Sequence, residues 1–324
     1  MKPIFFNPDY KERVWGGKKM ATVLNKSIPF EQTGESWEIA CHQKGQSTIR
    51  FGEYEGLSME ELLLQKGESI LGEAFKRGDK FPLLIKFIDA KEKLSVQVHP
   101  DDAYAKRHEK DEYGKSEAWY VIQADSGSKL IVGLKPGVTR EVFEKKIETN
   151  QLEEVLNEVE VSAGDVLDIP AGLIHAIGDG ILLVEVQQNS DKTYRVYDWG
   201  RRGLDGLPRE LHVQSSLEVS DFDEKHSTKL AKPSVKNYKG YVLKEFVRNP
   251  YFVLEELTIM EKMESINRGL YFEIYLCIEG ELDIEDKDIK LPINKGDVFM
   301  IPADLQHYNI KGSGKLIRTY VEKM

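Results

Sequence analysis

Three residues of the 324-residue chain, His99, Glu117 and His175, carry the side chains that hold a divalent metal. Two imidazoles and a carboxylate, with room left for water or substrate, suit catalytic zinc. The same donors also suit Fe(II), Mn or Co, and ligand type leaves that choice open. Gln97 adds a carboxamide two residues before His99. Side chains alternate across a strand, so three strands each present a polar face. Ser95, Gln97 and His99 share one face, Lys115, Glu117 and Trp119 a second, and Leu183, Glu185 and Gln187 a third. A polar stripe inside a β-protein has to be satisfied or do chemistry. His42, His108, His212 and His226 lie in no such pattern and default to surface or structural roles.

Short strands must position these groups. Segments such as Ser47 to Phe51, Pro82 to Ile88, Leu94 to His99, Ala118 to Gln123, Lys129 to Gly133 and Ile181 to Gln187 are rich in β-branched and aromatic residues and end at Gly, Pro, Asp or Ser. Two helices interrupt them. Ser58-Met59-Glu60-Glu61 is a capping box ahead of an apolar-periodic stretch to about Lys76, and Thr139 to Glu158 has near-helical spacing that Asn150 interrupts. His226 to Tyr238, polar and carrying Pro233, reads as a linker.

The composition narrows the function. Hydrophobic residues are 40% and charged residues 31%, an ordinary globular balance, and the length suits about two domains. A net charge of −10 argues against nucleic acid or an anionic membrane as partner, while leaving room for a small anion in a basic pocket. Cys41 and Cys277 stand far apart, as in a reducing compartment, and no apolar run is long enough to span a bilayer. A cytoplasmic protein is expected.

An internal repeat is the most informative feature. Ala163 to His175 and Lys295 to His307 share Gly-Asp-Val, Ile-Pro-Ala, Leu and a final His. Duplication of a β-domain explains this economically. The pattern Gly-Asp-x4-Pro-x4-His resembles the second motif of the cupin superfamily. That resemblance implies a mainly β chain of two cupin (jelly-roll-like) β-barrel domains with a few inserted or flanking helices. Residues 1–228 would form the metal-binding domain with an N-terminal arm and a helical insertion, and 229–324 a metal-free second one. Glu117 and Gly164 are 47 residues apart, against 23 for Glu273 and Gly296, which locates the insertion near Thr139–Glu158. The stretch from Phe252 to Met260 offers His307 no second histidine.

Further motifs sharpen the resemblance. Arg13 to Gly17 (Arg-Val-Trp-Gly-Gly), Gly34 to Glu38 (Gly-Glu-Ser-Trp-Glu), Ser95 to Asp101, Lys115 to Glu117, Pro170 to Ala176 and Tyr194 to Arg201 are similar to those of type I mannose-6-phosphate isomerases, over nearly the whole chain. Lys115-Ser116-Glu117 departs from the family's frequent Lys-Pro-Glu without changing which face Lys115 and Glu117 share. The resemblance implies one zinc per chain on Gln97, His99, Glu117 and His175, with Arg195 as the active-site arginine and a hexose 6-phosphate as substrate. Aldose–ketose isomerisation through an enediol also needs a general base, for which Glu185 and Lys115 are both candidates. Arg195 and Lys86 are the candidate phosphate ligands, helped by Ser95. Trp15 and Trp119 read as buried packing residues. Two rivals are a non-enzymatic sugar-phosphate sensor that keeps the metal and an Fe(II) dioxygenase. The retained Lys115, Glu185 and Arg195 count against the sensor, and the whole-chain resemblance against the dioxygenase.

Overall fold

The structure is a computed structural model that describes residues 1–73, 75–76, 79–110, 112–223, 226, 228–266, 269–287 and 289–322. It is mainly β. In the first unit, a six-stranded antiparallel sheet runs in the order Val166–Ile169, Glu117–Ala124, Ile181–Gln188, Leu83–Ala90, Asp9–Gly17, Thr33–Ile39. Opposite lies a five-stranded sheet in the order Leu156–Glu160, Lys129–Leu134, His175–Ile177, Val96–Val98, Tyr194–Tyr197. Alternation gives each sheet one inward apolar row, and Trp15, Ile88, Trp119, Val121, Leu130, Val132, Leu167, Ile177 and Leu183 fill the space between them.

Closed barrels were expected. Among the described residues no sheet closes, since the edges of the two facing sheets do not hydrogen-bond to each other. The gap matters for function, because Arg13 and Glu35 from one sheet and Arg195 from an edge strand of the other line the same cavity.

The helices differ from expectation at their ends. Helix Met59–Leu71 carries the full capping box, with Ser58 Oγ accepting from Glu61 N and Glu61 accepting from Ser58 N. It stops at Gly72 (φ 89°), before Lys76, because the chain there turns into a conformation glycine tolerates; residue 74 lies outside the described residues. The expected Thr139–Glu158 helix is a helix only over Arg140–Glu148, capped by Thr139. Asn150 takes a left-handed φ of 54°, and a 3-10 turn at Leu152–Val155 then leads into strand Leu156–Glu160. Phe143 of this helix and Leu217 of helix Val213–Val219 cover the outer face of the five-stranded sheet against Val96, Val98 and Val196. The stretch read as a linker contains an edge strand, Ser234–Tyr238, paired with Tyr241–Arg248; its residue 227 lies outside the described residues.

The second unit is one ten-stranded sheet built on the long strands Glu273–Asp286 and His307–Tyr320. It encloses its own core of Leu257, Tyr275, Ile284, Phe299 and Leu316. The repeat is visible in three dimensions. Gly164 and Gly296 turn with φ of 92° and 88°, Ile169 pairs with Glu117, and Ile301 pairs with Glu273. The N-terminal strand Ile4–Asn7 leaves the first unit and pairs with Val298–Ile301 of the second. Its Phe6 joins the largest core, where the outer face of the six-stranded sheet (Leu83, Ile85, Phe87, Val184) packs on Phe252, Leu254, Ile274 and Ile317.

Because Phe6 is buried in the core shared by both units, Phe6→Ala should lower the unfolding free energy by about 3–5 kcal/mol. A urea titration with an unchanged m-value reads this. A shift of less than about 1 kcal/mol would place the residue outside the shared core.

Candidate functional site

His99 directly follows strand Val96–Val98, and His175 opens strand His175–Ile177 of the same sheet; Glu117 opens Glu117–Ala124 in the sheet opposite. All three are buried. His99 Nε2 and His175 Nε2 stand 3.1 Å apart, and the Glu117 carboxylate lies 3.5 Å from the first and 3.4 Å from the second. Tetrahedral zinc with bonds near 2.0–2.1 Å spaces its donors about 3.3 Å apart. The three atoms therefore fit a small divalent cation. Gln97 Nε2 lies 3.3 Å from His175 Nε2, so the carboxamide reaches the cluster from the neighbouring strand.

The surroundings point the donors inward. His99 Nδ1 sits 2.9 Å from the Lys192 carbonyl, and His175 Nδ1 2.8 Å from the Leu173 carbonyl. A carbonyl only accepts, so each Nδ1 carries the proton and each Nε2 turns its lone pair to the cluster. Glu117 meets one protein cation, the Lys115 ammonium 2.8 Å from its Oε2, and its Oε1 has no hydrogen-bond donor among the described residues. A buried anion left in that state is costly, and a cation fits it.

Burial drives His99 well below its ordinary pKa, reinforced by the Lys115 ammonium, and lowers His175 to about 3. Both rings are thus neutral at physiological pH. Burial, with the charge of Glu185, raises Glu117 to about 7 even though Lys115 Nζ lies 2.8 Å from its Oε2. Lys115 Nζ also stands 3.1 Å from His99 Nε2.

A second cluster adjoins the first. Glu185 lies in register between Trp119 and Lys86 on its two neighbouring strands. Trp119 Nε1 donates to its Oε2 at 3.1 Å, and Lys86 Nζ pairs with its Oε1 at 3.0 Å. Burial opposes ionisation of Glu185, but Lys86 and Lys115 outweigh it and hold the carboxyl below its usual range. Lys86 was expected to hold phosphate. Its ammonium is instead buried between Glu185 and, at 4.0 Å, Glu35, where burial is overcome by the two carboxylates and its pKa rises. It acts as the counter-ion of Glu185.

Both clusters border a cavity of about 630 Å³, lined among others by Trp15, Ser95, Gln97, Lys115, Glu185 and Arg195. A larger cavity of about 940 Å³ beside helix Met59–Leu71 contains none of the residues expected at the site. Arg195 donates from Nε to Ser95 Oγ at 3.3 Å and from Nη1 to the Glu210 carbonyl at 2.8 Å. It makes no ion pair with Asp198, which Arg201 and Arg209 hold. Trp119 is fully buried and Trp15 nearly so, as packing residues.

The cavity lining also includes charged residues with no role assigned from sequence, among them Arg13, Glu35, Lys192 and Arg209, together with His212. Arg13 and Glu35 sit in motifs that carried the resemblance, so their position was available without their function. Arg13 Nε donates to Glu35 at 2.8 Å, and although burial resists, Arg13 and Lys86 hold Glu35 at about 2. His212, read as a default histidine, accepts from Arg195 N through Nδ1 at 3.2 Å. Nothing periodic marks the loop that carries Arg209 and His212.

In the second unit His307 is exposed. Glu273, in the place of Glu117, accepts from Tyr308 Oη at 2.7 Å and from Arg318 Nη1 at 3.1 Å. Both of its oxygens meet protein donors, whereas Glu117 Oε1 meets none among the described residues.

Comparison with known proteins agrees with this geometry. Residues 4–124 match the model for the phosphomannose isomerase type I catalytic domain, and 243–321 that for the mannose-6-phosphate isomerase cupin domain. The mannose-6-phosphate isomerase ManA of Bacillus subtilis is 36% identical, over 99% of this chain and 99% of its own. A crystal structure of the mannose 6-phosphate isomerase from Bacillus subtilis superposes with a TM-score of 0.93 at 36% identity, covering 99% of this chain and 100% of that one. A zinc-bound mannose 6-phosphate isomerase, 18% identical, shares the fold with a TM-score of 0.80 over 99% of this chain and 100% of that one.

A ligand role for Glu117 requires its carboxylate form, so under that role affinity for zinc should fall about tenfold per pH unit once pH drops below about 7. The histidines, already neutral, add nothing to that slope until far lower pH. Calorimetric titration between pH 5.5 and 8 measures it. A flat profile would remove Glu117 from the site.

Proposed function

We infer from the family to which the chain belongs, type I phosphomannose isomerase, that it interconverts mannose 6-phosphate and fructose 6-phosphate. The observation that carries the reading is the convergence of His99, Glu117 and His175 beside a cavity that also holds Glu185, Lys115 and Arg195. A sensor without catalysis would need the metal and a phosphate ligand only. It would have no use for a second buried carboxylate held ionised by two lysines, and the enzyme is favoured.

One zinc per chain is proposed, on His99, Glu117 and His175; the neutral Nε2 donors and the Glu117 Oε1 without a donor support it, and Gln97 becomes a fourth ligand only if its carboxamide turns Oε1 rather than Nε2 to the cluster. Bound there, it would supply a Lewis acid that polarises the substrate carbonyl and offsets charge developing on its oxygen. The remaining work falls to the chain. Glu185, ionised and held in place by Trp119 Nε1 and Lys86, is assigned as the base that takes the proton from C2 of mannose 6-phosphate and returns it to C1. Lys115, an ammonium donor between the two clusters, is assigned to the substrate oxygens, whose charge grows as the proton leaves. Arg195 and Ser95 bind the phosphate end, because Arg195 reaches the cavity without a carboxylate partner among the described residues. Trp15 closes part of the cavity wall and keeps water from the enediol.

The same reading takes residues 1–228 as the metal-bearing unit and 229–324 as a second cupin unit, each related to a jelly-roll barrel. The match over 243–321 and the paired repeat support it. Cys41 and Cys277 are both free, which supports a cytoplasmic setting.

Purified protein should isomerise mannose 6-phosphate, lose activity to a chelator and regain it with zinc; full turnover after exhaustive metal removal would sink the mechanism. Glu185→Gln should cut kcat by about 10²–10⁴ with zinc retained at one per chain. His175→Ala should lose the zinc itself.

A further inference from the structure

The two imidazoles of the cluster are anchored in different ways. His175 Nδ1 donates to the Leu173 carbonyl, two residues back in its own segment. His99 Nδ1 donates to the Lys192 carbonyl, 93 residues further along the chain. A local anchor moves with its histidine. A remote one orients the ring only if its own segment is fixed, so the lone pair of His99 Nε2 depends on whatever sets the Lys192 peptide.

That peptide belongs to a short crossover. Residues 189–193 leave strand Ile181–Gln188 of the six-stranded sheet and enter strand Tyr194–Tyr197 of the five-stranded one. Asn189 Nδ2 ties the start of the crossover to the Cys41 and Phe81 carbonyls at 2.8 and 2.9 Å. Ser190 is fully buried, and each of its polar groups is engaged. Its N donates to the Gln188 carbonyl at 2.7 Å, and its Oγ accepts from Lys192 N at 3.3 Å. On the other side Glu112 accepts from Asp191 N at 3.4 Å and lies 3.4 Å from His42 Nε2.

Gln187 closes the turn from within. It shares the inward face of its strand with Glu185 and stands in register with Glu117. Its side chain is fully buried, and Nε2 donates to the Ser190 carbonyl and, at 2.9 Å, to the Gln188 carbonyl. Both partners only accept, which fixes the amide: exchanging its nitrogen and oxygen would set three oxygens against one another. Oε1 is then left buried with no hydrogen-bond donor among the described residues. A stranded buried acceptor is costly, and an apolar side chain of the same length would avoid it. Packing therefore does not account for a glutamine at this place, whereas the two carbonyls it grips do.

We propose that Gln187 is the positioning residue of His99. By clamping the turn at residues 188–190 it aims the Lys192 carbonyl at Nδ1, which keeps the ring proton there and turns Nε2 toward Glu117 and His175. The inference deepens the reading of the metal site and rests on it. Glu185 and Arg195 lie on the two strands that the crossover joins, so one clamp sets an imidazole ligand, the assigned base and the cavity arginine relative to one another.

Gln187→Met, similar in length but without the donor, separates positioning from packing. Calorimetric titration with zinc should show affinity lower by about tenfold to a hundredfold, the usual cost of losing an outer partner of a ligand imidazole. Thermal unfolding of the zinc-free variant should match that of the unaltered protein or rise, because the stranded oxygen is gone. Ser190→Ala, which removes the acceptor for Lys192 N, should weaken zinc binding in the same direction. Two-bond proton–nitrogen spectra of the zinc-free proteins read the ring itself. His99 should carry its proton on Nδ1 in the unaltered protein and gain a form protonated on Nε2 in Gln187→Met, while the locally anchored His175 stays unchanged. Affinity within about twofold of the unaltered protein, or an unchanged His99 tautomer in the folded variant, overturns the proposal. If Gln187→Met fails to fold, Gln187→Leu carries the same measurements, and failure of both assigns the residue to packing and overturns it as well. If the unaltered protein takes up no zinc, the metal reading fails, and the tautomer comparison in zinc-free protein still decides the role of Gln187.

Discussion

Glu117 is buried between two sheets with one oxygen against the Lys115 ammonium and the other without a hydrogen-bond donor among the described residues, and the arrangement around it follows from what that carboxylate needs. Burying an anion is expensive unless a cation or several donors compensate. The protein supplies two imidazoles turned lone pair inward, each fixed by a backbone carbonyl, together with one ammonium. Such a set repels a proton from the rings and favours a divalent ion. Burial, with the charge of Glu185, lifts the carboxyl into the neutral range against the pull of Lys115.

Cross-strand register turns that centre into a site with direction. On the five-stranded sheet the row His175, Gln97, Arg195 runs from the buried imidazole cluster to the cavity arginine. On the facing sheet the row Trp119, Glu185, Lys86 places a carboxylate between its indole donor and its counter-ion. Each row is one residue per strand, so its spacing comes from interstrand hydrogen bonding rather than from flexible side chains. The cavity between the rows is lined by residues of both sheets.

The second unit shows the same motif with a different set of partners around its glutamate. Gly164 and Gly296 make the same turn, and Glu117 and Glu273 take the same register. Around Glu273, however, Tyr308 and Arg318 donate to the carboxylate, and His307 faces outward. The inherited backbone is kept and the charge is neutralised by protein donors. The unit then contributes packing: the largest core joins it to the back of the catalytic sheet, and Ile4–Asn7 reaches across to pair with it.

Much of the site was legible in the sequence because its parts are local. Alternation assigned Gln97 and His99, Lys115 and Glu117, and Glu185 to shared faces; the repeat placed His175 and His307 alike, and only His175 had Gln97, His99 and Glu117 to back it. The capping box at Ser58 was equally local and correct. What failed or was missing depends on partners distant in sequence. Lys86 looks like a phosphate ligand until strand pairing sets it against Glu185. Closed barrels were implied, but whether two sheet edges meet is decided by twist and packing of whole sheets. Arg209, Asp198 and His212 sit in an aperiodic loop whose path is fixed by side-chain staples. By itself the sequence determined the ligand types and the faces they occupy, because both follow from the two-residue period of a strand. Only the tertiary structure decided which charges neutralise one another and where the cavity opens, because those depend on register between strands, which local spacing does not encode.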